Sequence, residues 1–271
     1  MGIYNKKWNK FLLEGEFQMD ALIPKDELNP KFWTNNELNR EVLEKLREIA
    51  LDIFKKRSFD AAIVDIIITG SSASFNWHSL SDIDLHIILN FDDIDSNFVL
   101  VKRMLDLDRI NWNKTHDIFI HSHEVEIYYQ DVEETHQSLG VYSILDDAWI
   151  KEPIKEDVDI DLKSAEKKAD AIIQDIEHAS GLFHQEEYKE AYKYTLKTKR
   201  KIKKMRTAGL TKDGVYSAEN LAFKLLRNGD HLQKLSSLKI SSYDKMMSLG
   251  PTPEKDENLM ENWGNYINSE D

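Results

Sequence analysis

The sequence contains no cysteine, which excludes disulfides, thiolate metal sites and a cysteine nucleophile. It also lacks any run of about 18 apolar residues, so no membrane-spanning helix is expected. No apolar segment follows the basic residues at its start, so no secretory leader is expected and the predicted location is the cytoplasm. Hydrophobic residues make up 41% and charged residues 31%, a balance that favours a globular fold over disorder.

The net charge of −13 is unevenly distributed along the chain. Residues 1–150 hold 15 basic and 27 acidic residues, a net of −12, whereas residues 151–271 hold 21 and 22, a net of −1. Non-specific DNA binding depends on Lys and Arg at many phosphates, so an acidic front half argues against strong binding of that kind. Any contact with a polyanion should therefore be local.

Composition shifts and periodicity divide the chain into five parts. A charged, proline-containing stretch near 151–161 marks the best candidate linker, and apolar residues at three- and four-residue spacing before and after it indicate amphipathic helices. Strand patterns before this stretch and helix patterns after it predict an α+β fold. The expected parts are an N-terminal arm (1–35), a catalytic domain (36–135), a linker (136–161), a helical domain (162–240) and a polar tail (241–271).

The stretch Thr69–Leu89 (TGSSASFNWHSLSDIDLHIIL) carries the strongest functional signal. A β-branched strand over 61–69 ends at Gly70, and a second strand alternates so that Asp82 and Asp84 share one face. Glycine permits a tight turn and close approach to phosphate, while serine hydroxyls and nearby N–H groups donate to phosphate oxygens. The predicted phosphate-binding residues here are Gly70, Ser71, Ser72 and Ser81.

Two carboxylates at i and i+2 on a strand point the same way and suit Mg²⁺ or Mn²⁺, which prefer oxygen ligands. A third carboxylate on a neighbouring strand, best supplied by Glu126, would complete a two-metal site in which Asp82, Asp84 and Glu126 are both ligands and catalytic residues. Glu124 lies on the same strand face as Glu126, so the choice between these two glutamates stays open.

Three other features near this stretch, His86, the pair His121 and His123, and Trp77, each have a functional and a structural interpretation. His86 shares the aspartates' face and could contact a ligand, or it could simply be partly buried. His121 and His123 have the spacing of a metal pair, but no cysteine or third histidine is placed to complete a zinc site, and we expect none. Trp77 could stack on a base, although packing is the commoner role for such a residue.

A strongly basic segment lies at 188–206 (YKEAYKYTLKTKRKIKKMR), with nine basic residues and one acidic residue. On a helix its cations form a stripe opposite an apolar face. The stripe could be a solvated surface, or it could face the aspartates and bind the triphosphate or a polynucleotide. The residues that we select for phosphate binding are Lys193, Lys197 and Arg200.

In order and spacing these motifs resemble the nucleotidyltransferase superfamily that includes DNA polymerase beta. The resemblance rests on Gly70-Ser71, Asp82-Ile83-Asp84 and Val125-Glu126-Ile127, and it covers about a quarter of the chain. The segments 76–78 (NWH), 81–86 (SDIDLH) and 217–224 (SAENLAFK) are similar to those of nucleotidyltransferases encoded by large bacteriophages, which would place the protein in the host cytoplasm. The resemblance implies a small mixed β-sheet backed by helices and followed by a C-terminal helical domain that closes over the nucleotide.

The expected activity is transfer of a nucleoside monophosphate from an NTP, with ATP the first choice, to an acceptor hydroxyl. The acceptor could be an RNA end, a protein side chain or a small molecule, and the sequence does not choose among them. One alternative is a catalytically silent module that binds nucleotide or RNA on the same fold. Another is an interaction protein that uses only the basic helix, which would leave the paired aspartates without a role.

Overall fold

The computed structural model describes residues 22–57, 59, 61–79, 81–135, 138–155, 158 and 160–250. These residues form a mixed α+β fold with a six-stranded sheet and a two-stranded ribbon. The α-helices of the described chain are α1 (Arg40–Arg57), α2 (Phe98–Thr115), α3 (Leu162–His184), α4 (Tyr188–Lys212), α5 (Ala218–Asn228) and α6 (His231–Met247). Its strands are β1 (Trp33–Thr34), β2 (Glu37–Leu38), β3 (Ile63–Thr69), β4 (Ile83–Leu89), β5 (Phe119–Ile120), β6 (His123–Asp131), β7 (Val141–Ser143) and β8 (Ala148–Lys151).

The large sheet has the strand order β5-β6-β4-β3-β7-β8. Strands β4 and β6 run parallel, and every other neighbouring pair is antiparallel. A parallel pair needs a long crossover connection, which here includes α2. The centre of the sheet therefore brings β4, with its two aspartates, beside β6, with its glutamates.

A first hydrophobic core joins this sheet to α1, α2 and the segment before α1. Strand β4 alternates as its sequence predicts, with Ile83, Leu85 and Ile87 fully buried and the intervening side chains partly exposed. Helix α1 buries one face at helical spacing, consisting of Val42, Leu43, Leu46, Ile49, Ala50 and Ile53. Burial of one face of the sheet fixes the register that presents the aspartates on the opposite side of β4.

A second hydrophobic core lies among the C-terminal helices. It is formed by residues of α3, α4, α5 and α6, and Leu22, near the start of the described chain, packs into it. Helix α5 contributes Leu221, Ala222, Leu225 and Leu226 to this core. Within the described ranges, none of the helices combines the length and the apolar character needed to span a membrane.

The range 136–161, expected to be a linker, contains two strands. Residues 141–143 and 148–151 form β7 and β8, which extend the large sheet beyond β3. Val141 and Tyr142 are buried there, and Trp149 stacks on Trp33 with ring centroids 4.6 Å apart. The charged residues on either side of these short strands masked an apolar pattern that is long enough for a strand but not for a helix.

The two ends of the chain differ from their expected descriptions. Phe32 and Trp33 in the expected arm are buried in the first core, and the arm's β1 pairs with β2. Helix α6 continues to Met247, so the first residues of the expected polar tail are helical. The remainder of the arm, residues 1–21, and of the tail, residues 251–271, lies outside the described residues.

Candidate active site

Three carboxylates lie near one another where β4 and β6 run side by side. Asp84 of β4 lies directly opposite Glu126 of β6 in the parallel register, and Asp82 precedes Asp84 on the same face. All three side chains are partly exposed. Glu124 is paired instead with Phe119 of the edge strand β5. The register therefore favours Glu126 over Glu124 as the third carboxylate.

Gly70 is fitted closely against one of these carboxylates. Its φ of +72° lies in the left-handed region, which glycine adopts without the strain that a Cβ causes. A Cβ built on Gly70 would collide with the Asp84 carboxylate oxygen Oδ2. The turn after β3, which continues as the short 3₁₀ helix Gly70–Ala73, thus brings backbone into contact with the site because residue 70 has no side chain.

Two of the serines selected from the sequence have structural partners. The buried Ser72 hydroxyl donates to the Asp82 carbonyl oxygen at 2.5 Å, and this bond ties the turn after β3 to the start of β4. The buried Ser81 hydroxyl accepts a hydrogen bond from the His78 backbone N–H at 3.0 Å. Ser71 is partly exposed in the same turn. Of the three serines, Ser71 has the accessibility that a phosphate contact requires.

The carboxylates of the site repel one another in a poorly hydrated place. Burial, followed by the charges of Glu126 and Asp82, raises the pKa of Asp84 to about 7. Burial and the charge of Glu126 also raise the pKa of Asp82. Arg227 opposes both shifts, because its positive charge lowers the pKa of each aspartate. The protein therefore concentrates negative charge here at a cost in stability.

Glu126, the third carboxylate, is held by Tyr128 on the same strand, β6. The Tyr128 hydroxyl donates to Glu126 Oε2 at 2.5 Å, and burial together with the nearby carboxylates raises the pKa of Tyr128. The Arg109 guanidinium lies over the Tyr128 ring, with Cζ 4.9 Å from the centroid, and His86 stacks on the same ring at 4.8 Å. His86 Nδ1 lies 2.8 Å from Gln130 Oε1. His86 thus supports the tyrosine that orients Glu126.

The helical half of the chain brings cations to this site from α5, which our sequence analysis did not select. Lys224 and Arg227 are three residues apart and so lie on neighbouring turns of one helix side. The Lys224 ammonium nitrogen is buried and has no hydrogen-bond partner among the described residues. Burial, then the charges of Arg227 and Arg206, lowers its pKa to about 8. A buried cation that lacks an acidic partner marks a place where an anion would be stabilised.

A buried histidine connects the two halves electrostatically. Burial, followed by the charges of Lys224 and Arg227, lowers the pKa of His78 to about 4. His78 lies in the loop between Gly70 and Asp82, so the α5 cations approach that loop. In the sequence, the stretch 217–224 (SAENLAFK) could have pointed to the α5 cations, because Lys224 interrupts a helix that otherwise buries apolar residues. Only the tertiary packing of α5 reveals which side of the sheet it approaches.

The cations selected from the basic segment lie on the exposed side of α4. Lys193 pairs with Glu190 at 2.6 Å, Lys197 lies over the Tyr194 ring at 5.5 Å, and Arg200 donates to the Leu196 carbonyl oxygen at 3.3 Å. These contacts are all within α4. The cation whose charge acts on Asp82 and Asp84 is instead Arg227.

The other candidate side chains have partners of their own. His123 is buried, with Nδ1 2.7 Å from the Ser81 carbonyl oxygen and Nε2 3.3 Å from Asn29 Nδ2. His121 is exposed in the tight turn before β6. Trp77 donates its indole N–H to the Glu27 carbonyl oxygen at 2.8 Å. His123 and Trp77 therefore connect the segment before α1 to the edge of the site.

The chemistry of the three carboxylates fits a hard divalent cation. They supply oxygen ligands only, and a cation between them would relieve the repulsion that raises the pKa of Asp84. In the part of the chain that the structure describes, no three His, Asp or Glu side chains are already grouped tightly enough to hold an ion. The donor set is therefore suitable in type, and it would have to close around the ion.

Comparison of the chain with protein-family models, with curated proteins and with solved structures gives no significant match.

Proposed function

We propose that this protein is a metal-dependent nucleotidyltransferase that transfers a nucleoside monophosphate from an NTP to an acceptor hydroxyl. In this reaction the acceptor oxygen forms a bond to the α-phosphorus, and the bond between that phosphorus and the oxygen bridging to the β-phosphate breaks. Pyrophosphate leaves with the bonding electron pair. The acceptor proton passes to Glu126 and from there to water.

The observation that carries this proposal is the cluster of Asp82, Asp84 and Glu126 on adjacent strands, with Gly70 in contact with Asp84. Mutual repulsion and burial destabilise this arrangement, and the one cation that acts on both aspartates in the described chain is the exposed Arg227. A group of buried like charges lowers the stability of the fold, so its presence is best explained by a function of the charged residues. The resemblance of these motifs to polymerase beta-like nucleotidyltransferases supports the same conclusion.

Asp82, Asp84 and Glu126 are the residues that would hold Mg²⁺ or Mn²⁺. Bound there, the ions would increase the acidity of the acceptor hydroxyl and neutralise charge on the triphosphate. The Tyr128 hydroxyl, through its hydrogen bond, keeps the Glu126 side chain in position. The turn at Gly70 brings the backbone against Asp84, and the partly exposed Ser71 in that turn is available to donate to a phosphate.

Lys224 and Arg227 are the residues that would bind the β- and γ-phosphates. The positive charge of Arg227 acts on Asp82 and Asp84 from the helical half of the chain. The Lys224 ammonium, which has no hydrogen-bond partner among the described residues, would gain one in a triphosphate. In this arrangement the sheet and its helices form the catalytic domain, and α3–α6 form a helical domain that covers the nucleotide. We propose ATP as the first NTP to test.

The experiment that tests the proposal is incubation with each α-labelled NTP and Mg²⁺ or Mn²⁺, in the presence of RNA, of protein or of buffer alone. We expect label to enter one of these pools only when metal is present. Asp82→Asn, Asp84→Asn and Glu126→Gln should each reduce transfer about a hundredfold or more, which corresponds to about 2.7 kcal/mol of transition-state stabilisation.

Glu124→Gln provides a matched control, because Glu124 lies two residues from Glu126 and is paired with the edge strand. It should retain nearly normal transfer. A larger loss for this variant than for Glu126→Gln would make Glu124 the third carboxylate. Metal-dependent NTP binding without labelling of any pool would instead indicate a silent nucleotide-binding module.

A further inference from the structure

The exposed side of α4 carries much more positive charge than the described carboxylates compensate, since only Lys193 and Lys201 of its cations over residues 188–206 form ion pairs there. Among the described residues, no carboxylate forms an ion pair with Lys189, Lys199, Lys203 or Lys204. Five pairs of basic residues stand four positions apart on this helix, namely Lys189–Lys193, Lys193–Lys197, Lys197–Lys201, Lys199–Lys203 and Arg200–Lys204. Like charges at this spacing destabilise a helix by roughly 0.2–0.5 kcal/mol per pair.

Helix α1 shows how this protein builds an ordinary solvated helix surface. There Arg40 pairs with Glu44, Lys45 with Glu48 and Lys56 with Asp52, all at three- or four-residue spacing. Helix α4 has one such pair, between Lys193 and Glu190, for its nine cations over residues 188–206. The excess charge on α4 is therefore specific to that helix, and a solvated surface does not require it.

The charged side of α4 continues toward the candidate active site. Lys199, Lys203 and Arg206 follow one another at spacings of four and three, so they lie along one side of the helix, and all three are exposed. The Arg206 guanidinium lies over the Phe223 ring of α5, with Cζ 4.0 Å from the centroid. Its charge acts on Lys224, and the charge of Arg227 acts on the aspartates.

We propose that the acceptor is the terminal hydroxyl of a single-stranded polynucleotide, whose phosphates lie along Lys199, Lys203 and Arg206 and whose end reaches Asp84. This inference rests on the proposed transferase function and names the acceptor of that site. Regularly spaced cations on one helix side match a polyanion with regularly spaced charges. The acidic front half of the chain would repel such a strand, which favours binding along α4 over binding along the front half.

The test compares two double variants that remove equal charge. Lys199→Gln with Lys203→Gln removes two cations of the proposed track, and Lys45→Gln with Lys56→Gln removes two ion-paired cations of α1. Binding of a fluorescent, unstructured oligoribonucleotide and of its deoxy counterpart is measured over a series of salt concentrations. The track variant should bind both about tenfold more weakly, with a salt slope smaller in magnitude by about 1.4, since each single-strand phosphate contact contributes about 0.7.

The α1 variant should bind both oligonucleotides within about twofold of the unaltered protein, and both variants should keep normal metal-dependent NTP binding. The same oligonucleotides, offered with α-labelled NTP, then show whether a ribose or a deoxyribose end accepts the label. Equal loss in the two variants, or label in protein or a small molecule but not in an oligonucleotide, would overturn the polynucleotide assignment. Absence of metal-dependent NTP binding in the unaltered protein would overturn the transferase proposal itself.

Discussion

Gly70 is the residue at which the backbone and the candidate active site meet most closely. Gly70→Ala should lose about 1–2 kcal/mol of unfolding free energy from its positive φ, and further stability from the collision with Asp84. Because Asp84 must move to relieve that collision, we expect transfer activity to fall about tenfold or more. Urea unfolding and the labelled-NTP assay measure the two effects.

Gly214→Ala is the control for this variant. Gly214 has nearly the same φ, +73°, but a Cβ there would meet nothing within 4 Å. It should show the loss of stability from backbone strain and retain full activity. Equal loss of activity in the two variants would mean that the contact between Gly70 and Asp84 has no functional role.

Asp84 should make the stability of the metal-free protein depend on pH. Its pKa is about 7 in the folded protein against an ordinary value of 3.8, so between these values the folded protein keeps a proton that the unfolded chain loses. The free energy of unfolding therefore declines as pH rises through this window and levels off above it. Asp84→Asn should remove this decline and be more stable at neutral pH by on the order of 2 kcal/mol.

Urea unfolding in chelator from about pH 5 to about pH 8 measures this effect, because that interval includes most of the decline. An Asp84→Asn protein with the same pH profile as the unaltered protein would contradict the burial and repulsion assigned to Asp84. The same variant should bind no metal, so a gain in stability should accompany a loss of function.

Helix α5 packs apolar residues into the second core and also carries the cations Lys224 and Arg227 that we propose bind the triphosphate. Lys224→Met keeps the length of the side chain and removes a buried ammonium that has no hydrogen-bond partner within the described ranges, so it should stabilise the fold by about 1–2 kcal/mol. It should also weaken NTP binding about tenfold or more, because a charge-assisted contact with phosphate is lost. Thermal unfolding and equilibrium binding of the NTP with Mg²⁺ measure these opposite changes.

Lys234→Met on α6 is the matched control, since it removes an ammonium that pairs with Glu177 at 3.2 Å. Its stability should change by less than about 1 kcal/mol and its NTP affinity should be unchanged. A Lys224→Met protein that binds NTP normally would exclude α5 from the triphosphate site.

The elements that could be predicted from the sequence are those with a clear period. The 3.6-residue pattern of Val42, Leu46 and Ile49 predicted α1, and the alternation around Asp82 and Asp84 predicted β4 with the correct face outward. Strands β7 and β8 were missed because three or four residues are too few to establish a period. Lys224 and Arg227 were missed because a helix pattern identifies the buried face and does not say which neighbour each remaining side meets.

For the molecule as a whole, the site depends on both hydrophobic cores. The carboxylates belong to the sheet, whereas Lys224 and Arg227 belong to a helix packed in the second core. A ligand that contacts both groups should stabilise the whole protein against unfolding.

We expect an NTP with Mg²⁺ to stabilise the protein by about 2.7 kcal/mol at a ligand concentration near 100 times its dissociation constant. A thermal shift of the same size in EDTA would contradict the metal-dependent site.

The parallel pairing of β4 with β6 also bears on the order in which the molecule assembles. Asp84 and Glu126 become neighbours only after the chain has crossed through α2 and returned to the sheet, and such non-local strand pairing is slow compared with the formation of a helix or a hairpin. We therefore expect the carboxylates to stay apart until late in folding. Their repulsion should then act only when β6 docks on the sheet, at a stage when hydrophobic contacts of the sheet can offset it. The earlier steps of folding should not be affected by this repulsion.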